Sequence, residues 1–129
     1  MRAEQNFEGH SASVHAAREF VAATLAAWDL DDLSEVACLL SSELAANVVR
    51  HVGDHYRLAV EVEPPELLVE VMDSSERTPV LHHSPEDAQS GRGLVIVEAL
   101  AHRWGTRLLE KGKSVWFTLL LRPASPPLP

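Results

Sequence analysis

Glu43-Leu44-Ala45-Ala46-Asn47 lies inside the strongest helical pattern of this 129-residue chain, and its two polar members decide how the rest is read. From Leu33 the apolar positions run Val36, Leu39, Leu40, Leu44 and Val48, the i, i+3, i+4, i+7 spacing of one helical face. Glu43 and Asn47 continue that spacing, one turn apart and projecting the same way. A carboxylate and a carboxamide on an apolar stripe are costly unless something pairs with them. On their own they fit either a helix edge that reaches solvent or two groups of a polar site.

Outward from this helix the patterning is mixed. Val14, Ala17, Val21, Leu25 and Trp28 predict an earlier helix over Ser13–Trp28, with Ser11 or Ser13 as its N-cap and Asp29–Asp32 ending it. The second helix then starts near Asp32 and ends around His51, just before Gly53. Tyr56, Leu58, Val60 and Val62 alternate with Arg57, Glu61 and Glu63, which predicts a strand with one wet face. Pro64-Pro65-Glu66 makes a turn into a second strand, Leu67–Met72, and an antiparallel hairpin is the economical pairing. Ala3–Phe7 is a short first strand, and Asp73–Ser90 is a long polar loop of the kind that carries function.

Gly91-Arg92-Gly93 opens a third helix, Leu94 to about His102. Strands over Thr106–Glu110 and Ser114–Leu121 follow, joined through Lys111-Gly112-Lys113 as a tight hairpin. The order predicts an α+β two-layer sandwich, with helices packed on one face of a mostly antiparallel sheet. Residues 1–122 form the single domain, and the Pro-rich tail 123–129 is expected to be disordered.

Composition bounds the function. At 46% hydrophobic and 23% charged the chain is an ordinary globular domain, while a formal net charge of −8 without basic clusters argues against nucleic-acid binding. No stretch approaches the ~20 apolar residues of a membrane span, and no secretory signal is visible near Arg2, Glu4 and Glu8. One cysteine, Cys38, allows no internal disulfide and suggests a cytoplasmic protein, with Cys38 as a small buried hydrophobe. His51 and His55 are separated by Gly53 and do not share a helical face, so no zinc site is expected. Trp28, Trp104 and Trp116 fit packing roles.

Three constellations carry chemistry. Glu43 can take a proton from a hydroxyl, and Asn47 can offer its oxygen to Mg²⁺, a hard cation that shares oxygen ligands with substrate phosphates. Asp73, at a strand end before Ser74-Ser75, is either an Asx-turn residue or an acceptor for an amino group such as that of a purine. Gly91 and Gly93 at a helix start would let backbone N–H groups approach a phosphate. Ile96 stands where a dinucleotide-binding fingerprint needs its third glycine, which excludes that reading.

Taken in order, helical Glu-x-x-x-Asn, a strand-end Asp, a polar loop and Gly-x-Gly resemble the nucleotide site of the GHKL (Bergerat-fold) ATPases. Within that superfamily the chain is most similar to the anti-sigma-factor serine/threonine kinases. The most specific parts are Ser42–His51, Gly91–Leu94 through Ala101, and Trp104-Gly105. The resemblance implies ATP and Mg²⁺ as cofactors, Glu43 as the general base and Asn47 as the Mg²⁺ ligand. It assigns adenine recognition to Asp73 and phosphate contact to Gly91 and Gly93, and it extends the ATP-binding set to Arg50, Ser75, Arg92 and Leu94. Arg77–Ser90 would be the lid. The implied partners are an anti-sigma-factor antagonist, which is phosphorylated, and a sigma factor, which is sequestered; a homodimer is implied as well.

The chain departs from the family where Asp73 is followed by Ser74-Ser75-Glu76-Arg77 rather than by glycines. Two functions follow. In one, the protein is a kinase; in the other, it is a non-catalytic ATP-binding module that switches partners without phosphoryl transfer. Retention of Glu43 favours the first, and the missing glycines favour the second. A fragment of a sensor histidine kinase ranks below both, since no dimerisation helix with a phosphoacceptor is visible.

Overall fold

Alternation in the strands and 3.6-residue periodicity in the helices produce two layers, described in a computed structural model over residues 1–75 and 88–121, with 88–93 by backbone alone. The elements run β1 (Arg2–Phe7), α1 (Ala12–Ala27), a 3-10 turn (Asp31–Leu33), α2 (Ser34–His51), β2 (Tyr56–Glu63), β3 (Glu66–Asp73), α3 (Ala88–Leu100), β4 (Arg103–Leu108) and β5 (Lys113–Leu120). The five strands form one sheet in the order β1-β2-β3-β5-β4, antiparallel at every step. The α+β sandwich expected from the sequence is therefore the observed architecture. Among the described residues no helix is long and apolar enough to cross a membrane.

Antiparallel register puts directly opposed side chains on one face. The inner face carries Leu58, Val60, Leu67, Val69, Val71, Val115, Phe117 and Leu119, all buried in one core with the helices. Helix α1 contributes Ala17, Val21 and Leu25 at i, i+4 steps, and α3 contributes Leu94 and Val97. Tyr56 anchors α1 to the sheet: its hydroxyl and that of Ser13 are hydrogen-bonded at 2.8 Å, and its ring stacks on Phe7 at 5.4 Å. Cys38 is buried in this core, and its thiol donates to the Arg18 carbonyl at 3.6 Å.

Helix ends follow local chemistry. Asp29 takes a left-handed φ of 59° after α1, and the Leu30 amide bonds back to Leu25 O at 2.8 Å. Gly53 does the same after α2 with φ 68°, its amide reaching Val48 O at 2.9 Å. Helix α3 differs from the sequence expectation. It starts at Ala88, so Gly91-Arg92-Gly93 lies inside the helix rather than ahead of Leu94. Each glycine costs about 1 kcal/mol in a helix, a modest penalty beside the burial of Leu94 and Val97. Strand β4 also begins earlier than expected, at Arg103. The expected lid over 77–90 lies outside the described residues except for Ala88–Ser90, which are helical; the tail 123–129 lies outside them altogether.

The outer face is polar and internally paired. Arg103 donates to both Glu66 oxygens, at 2.9 and 2.6 Å, and Thr118 Oγ1 donates to Oε2 at 2.8 Å. Glu70, 6% exposed, accepts from Arg107 at 3.0 Å and from Ser114 Oγ at 2.8 Å. The Arg103 guanidinium also lies over the Trp116 ring, 5.5 Å from its centroid.

At one end of the sheet, the β4–β5 hairpin closes on the end of β3. Gly112 has φ +97°, and a Cβ there would overlap the backbone of Asp73 and Ser74. Gly112→Ala is expected to destabilise the protein by about 2 kcal/mol or more, measured by chemical unfolding; wild-type stability would show that the hairpin does not sit against β3.

The bonds from Arg103, then that from Thr118, hold the Glu66 carboxyl at about 2, well below the usual carboxylate range. A depressed carboxylate contributes stability above its unfolded pKa of about 4.3 and loses it as pH falls toward the folded value. Melting temperatures of wild type and Glu66→Gln should therefore differ most near neutrality and converge between pH about 4.5 and about 2. A pH-independent gap would contradict the pairing.

Candidate functional site

Asp73 is the last residue of β3, paired across the sheet with Tyr56 on β2 and Lys113 on β5. By register all three point to the helix-facing side. The Asp73 side chain is 1% exposed and that of Lys113 7%. Lys113 Nζ donates to Asp73 Oδ1 at 3.0 Å, and the Ser75 amide donates to the same oxygen at 2.8 Å. The second bond is an Asx turn, so the turn reading of Asp73 holds for Oδ1. Oδ2 differs: it is buried and has no hydrogen-bond partner among the described residues. Leaving a buried acceptor unsatisfied costs about 1–3 kcal/mol, more when it is charged. An amino group on a ligand would complete this acceptor, a requirement that the amino group of adenine meets.

Lys113 was not predicted from the sequence, which presented Lys111-Gly112-Lys113 as a turn and no more. The pair is separated by 40 residues, so no local pattern could have revealed it. Once β3 and β5 are aligned, a strand-end Asp directly opposite a strand-start Lys is the available signal.

Helix α2 packs against both α3 and β3. Its buried residues are Ala37, Cys38, Leu40, Ser41, Leu44, Ala45 and Val48. Val36, Leu39, Glu43 and Asn47 are half-buried. The expected stripe is thus rotated by about one residue, which follows from 3.6-residue geometry: 37, 41, 44 and 48 form the central row and 36, 43 and 47 its shoulder. Glu43 and Asn47 share that shoulder, one turn apart, where a half-exposed polar group can meet a ligand without full desolvation. The polar residue at the centre is Ser41, 0% exposed and with no partner for Oγ among the described residues. Arg50 is exposed on the last turn of α2.

The remaining predicted positions divide. Ser75 joins the Asp73 cluster through its amide. Leu94 is 2% exposed and belongs to the core. Gly91 and Gly93 follow three helical residues, so they lie within α3 and not ahead of its first turn. Arg92 lies between them on the same turn.

Two other features lie away from this cluster. A groove of ≈ 280 Å³ opens on the opposite face of the sheet, but its walls include Glu66, Glu70, Arg103 and Arg107, which already satisfy one another. Among the described residues no group of three or more His, Cys, Asp or Glu could hold a metal ion. Asn47 offers a single hard oxygen, which suits Mg²⁺ only where phosphates and water complete the shell.

No curated protein matches the chain. The family model described as Histidine kinase-like ATPase domain matches residues 7–119. That span runs from the end of β1 to the penultimate residue of β5, and it contains Glu43, Asn47, Asp73, Gly91, Gly93 and Lys113. The chain belongs to the histidine kinase-like ATPase domain family, of the GHKL type, for which ATP is the implied ligand.

Proposed function

We propose that the protein is an ATP-binding regulatory serine/threonine protein kinase of the anti-sigma-factor type, which phosphorylates an anti-sigma-factor antagonist and sequesters a sigma factor. The observation that carries ATP binding is the buried Oδ2 of Asp73, without a hydrogen-bond partner among the described residues, within a chain of this family. The anti-sigma assignment rests on the sequence resemblance of Ser42–His51, Gly91–Leu94 and Trp104-Gly105. The same resemblance extends to a homodimer, and the single cysteine, Cys38, suits a cytoplasmic protein.

In this reading Asp73 would accept a hydrogen bond from the adenine amino group, and the side-chain oxygen of Asn47 would help to hold Mg²⁺. Bound ATP would supply the γ-phosphoryl group to the partner hydroxyl and leave as ADP. Glu43 takes the proton from the attacking hydroxyl, and its half-exposed place on the α2 shoulder leaves it accessible to a protein substrate. Gly91 and Gly93 reach phosphate only if the first turns of α3 open, which the low helix propensity of glycine makes less costly. Arg50, Arg92 and Ser75 complete the polar set, and Leu94 holds α3 to the core beneath it.

The non-catalytic module is the second reading. It is favoured by Ser74-Ser75 in place of glycines and by the place of Gly91 and Gly93 within the helix.

Glu43→Ala should bind Mg²⁺–ATP as wild type does and lose transfer to a cognate antagonist by about 10²–10⁴-fold; calorimetry and a phosphate-transfer assay read the two effects. Asn47→Ala should remove the Mg²⁺ dependence of ATP binding. If wild type binds ATP but phosphorylates no cognate antagonist, the module reading replaces the kinase.

A further inference from the structure

Burying an ammonium costs several kcal/mol, which an ion pair offsets only with good geometry and further hydrogen bonds. Lys113 is 7% exposed and its Nζ has three N–H donors, yet among the described residues Asp73 Oδ1 is the acceptor the ammonium meets. Oδ1 and Oδ2 share one carbon, so among the described residues the cluster displays side by side an acceptor of Asp73 without a partner and an ammonium of Lys113 with donors beyond its one bond.

A ligand edge with one donor beside one acceptor complements this display. Adenine has that edge, with the C6 amino group as donor and ring N1 as acceptor. Guanine presents N1–H and a C2 amino group, which together ask for both oxygens of a carboxylate. Here Oδ1 is already occupied by the Ser75 amide and by Lys113.

We infer that Lys113 is a base-specificity residue, donating from Nζ to adenine N1 while Asp73 Oδ2 accepts from the C6 amino group. This rests on the ATP-binding reading and adds a second recognition contact to it. A lysine that did no more than hold Asp73 in place would support recognition of the amino group and be indifferent to the atom at N1.

Calorimetry with Mg²⁺ on the full chain separates these roles, using ATP, GTP, 1-deaza-ATP (a C–H in place of N1) and purine riboside triphosphate (no amino group). Wild type should bind 1-deaza-ATP about tenfold or more weaker than ATP, the loss of one charge-assisted hydrogen bond, and GTP more weakly still. In Lys113→Met, ATP and 1-deaza-ATP should bind within about twofold of each other, while the preference for ATP over purine riboside triphosphate persists through Asp73. Lys113→Arg, which keeps a donor, should restore discrimination at N1.

Equal binding of ATP and 1-deaza-ATP by wild type overturns the inference while leaving the ATP reading intact, and it does so even if Lys113→Met fails to fold. Retention of N1 discrimination in a folded Lys113→Met, or GTP binding as tight as ATP, overturns it equally. Failure of wild type to bind any of the four nucleotides overturns the ATP reading and the inference together.

Discussion

The antiparallel pairing of β3 with β5 joins two parts of the chain that α3 separates, and in the described sheet no other pair of strands does so. It sets Val69 opposite Phe117 and Val71 opposite Val115 on the inner face, with Glu70 opposite Trp116 on the outer. Asp73 and Lys113 are the last pair of the same ladder. A slip of one residue would exchange the two faces, driving Glu70 into the core and parting Asp73 from Lys113. The apolar core and the polar cluster are thus consequences of one register. Gly112 lets the hairpin close tightly enough against Asp73 and Ser74 to hold it.

The two faces treat their carboxylates differently. On the outer face Glu66 and Glu70 are met by arginines and hydroxyls, and both are satisfied within the protein. Asp73 on the inner face is satisfied at Oδ1 and, among the described residues, has no partner at Oδ2. A packed domain rarely tolerates such a group without reason. The proposed function offers one, since ATP, the implied ligand of the family, carries an amino donor. The proposed labour divides accordingly: Asp73 and Asn47 serve binding, and Glu43 serves transfer.

Much of the fold was legible in the sequence because its signals are local. Period-2 alternation over Tyr56–Glu63, helical spacing over Val14–Trp28, and Gly53 after α2 were each realised in place. The start of α3 was not, because Gly91 and Gly93 look like breakers, while burial of Leu94 and Val97 favours a helix running through them. The early start of β4 was hidden by Gly105, which leaves room for the Trp116 ring: a Cβ there would lie 3.0 Å from Trp116 Cζ2. At the site, Asp73 stood out from its strand-end position, whereas Lys113, 40 residues away, depends on sheet pairing. The shift of Glu43 and Asn47 from stripe to shoulder is a rotation of one residue that a pattern of apolar positions does not resolve.

A structure of the protein with Mg²⁺ and a non-hydrolysable ATP analogue tests the central claim most directly. The adenine amino group is predicted within hydrogen-bond distance of Asp73 Oδ2. A base bound elsewhere on the domain, with Oδ2 still unpartnered, would contradict it.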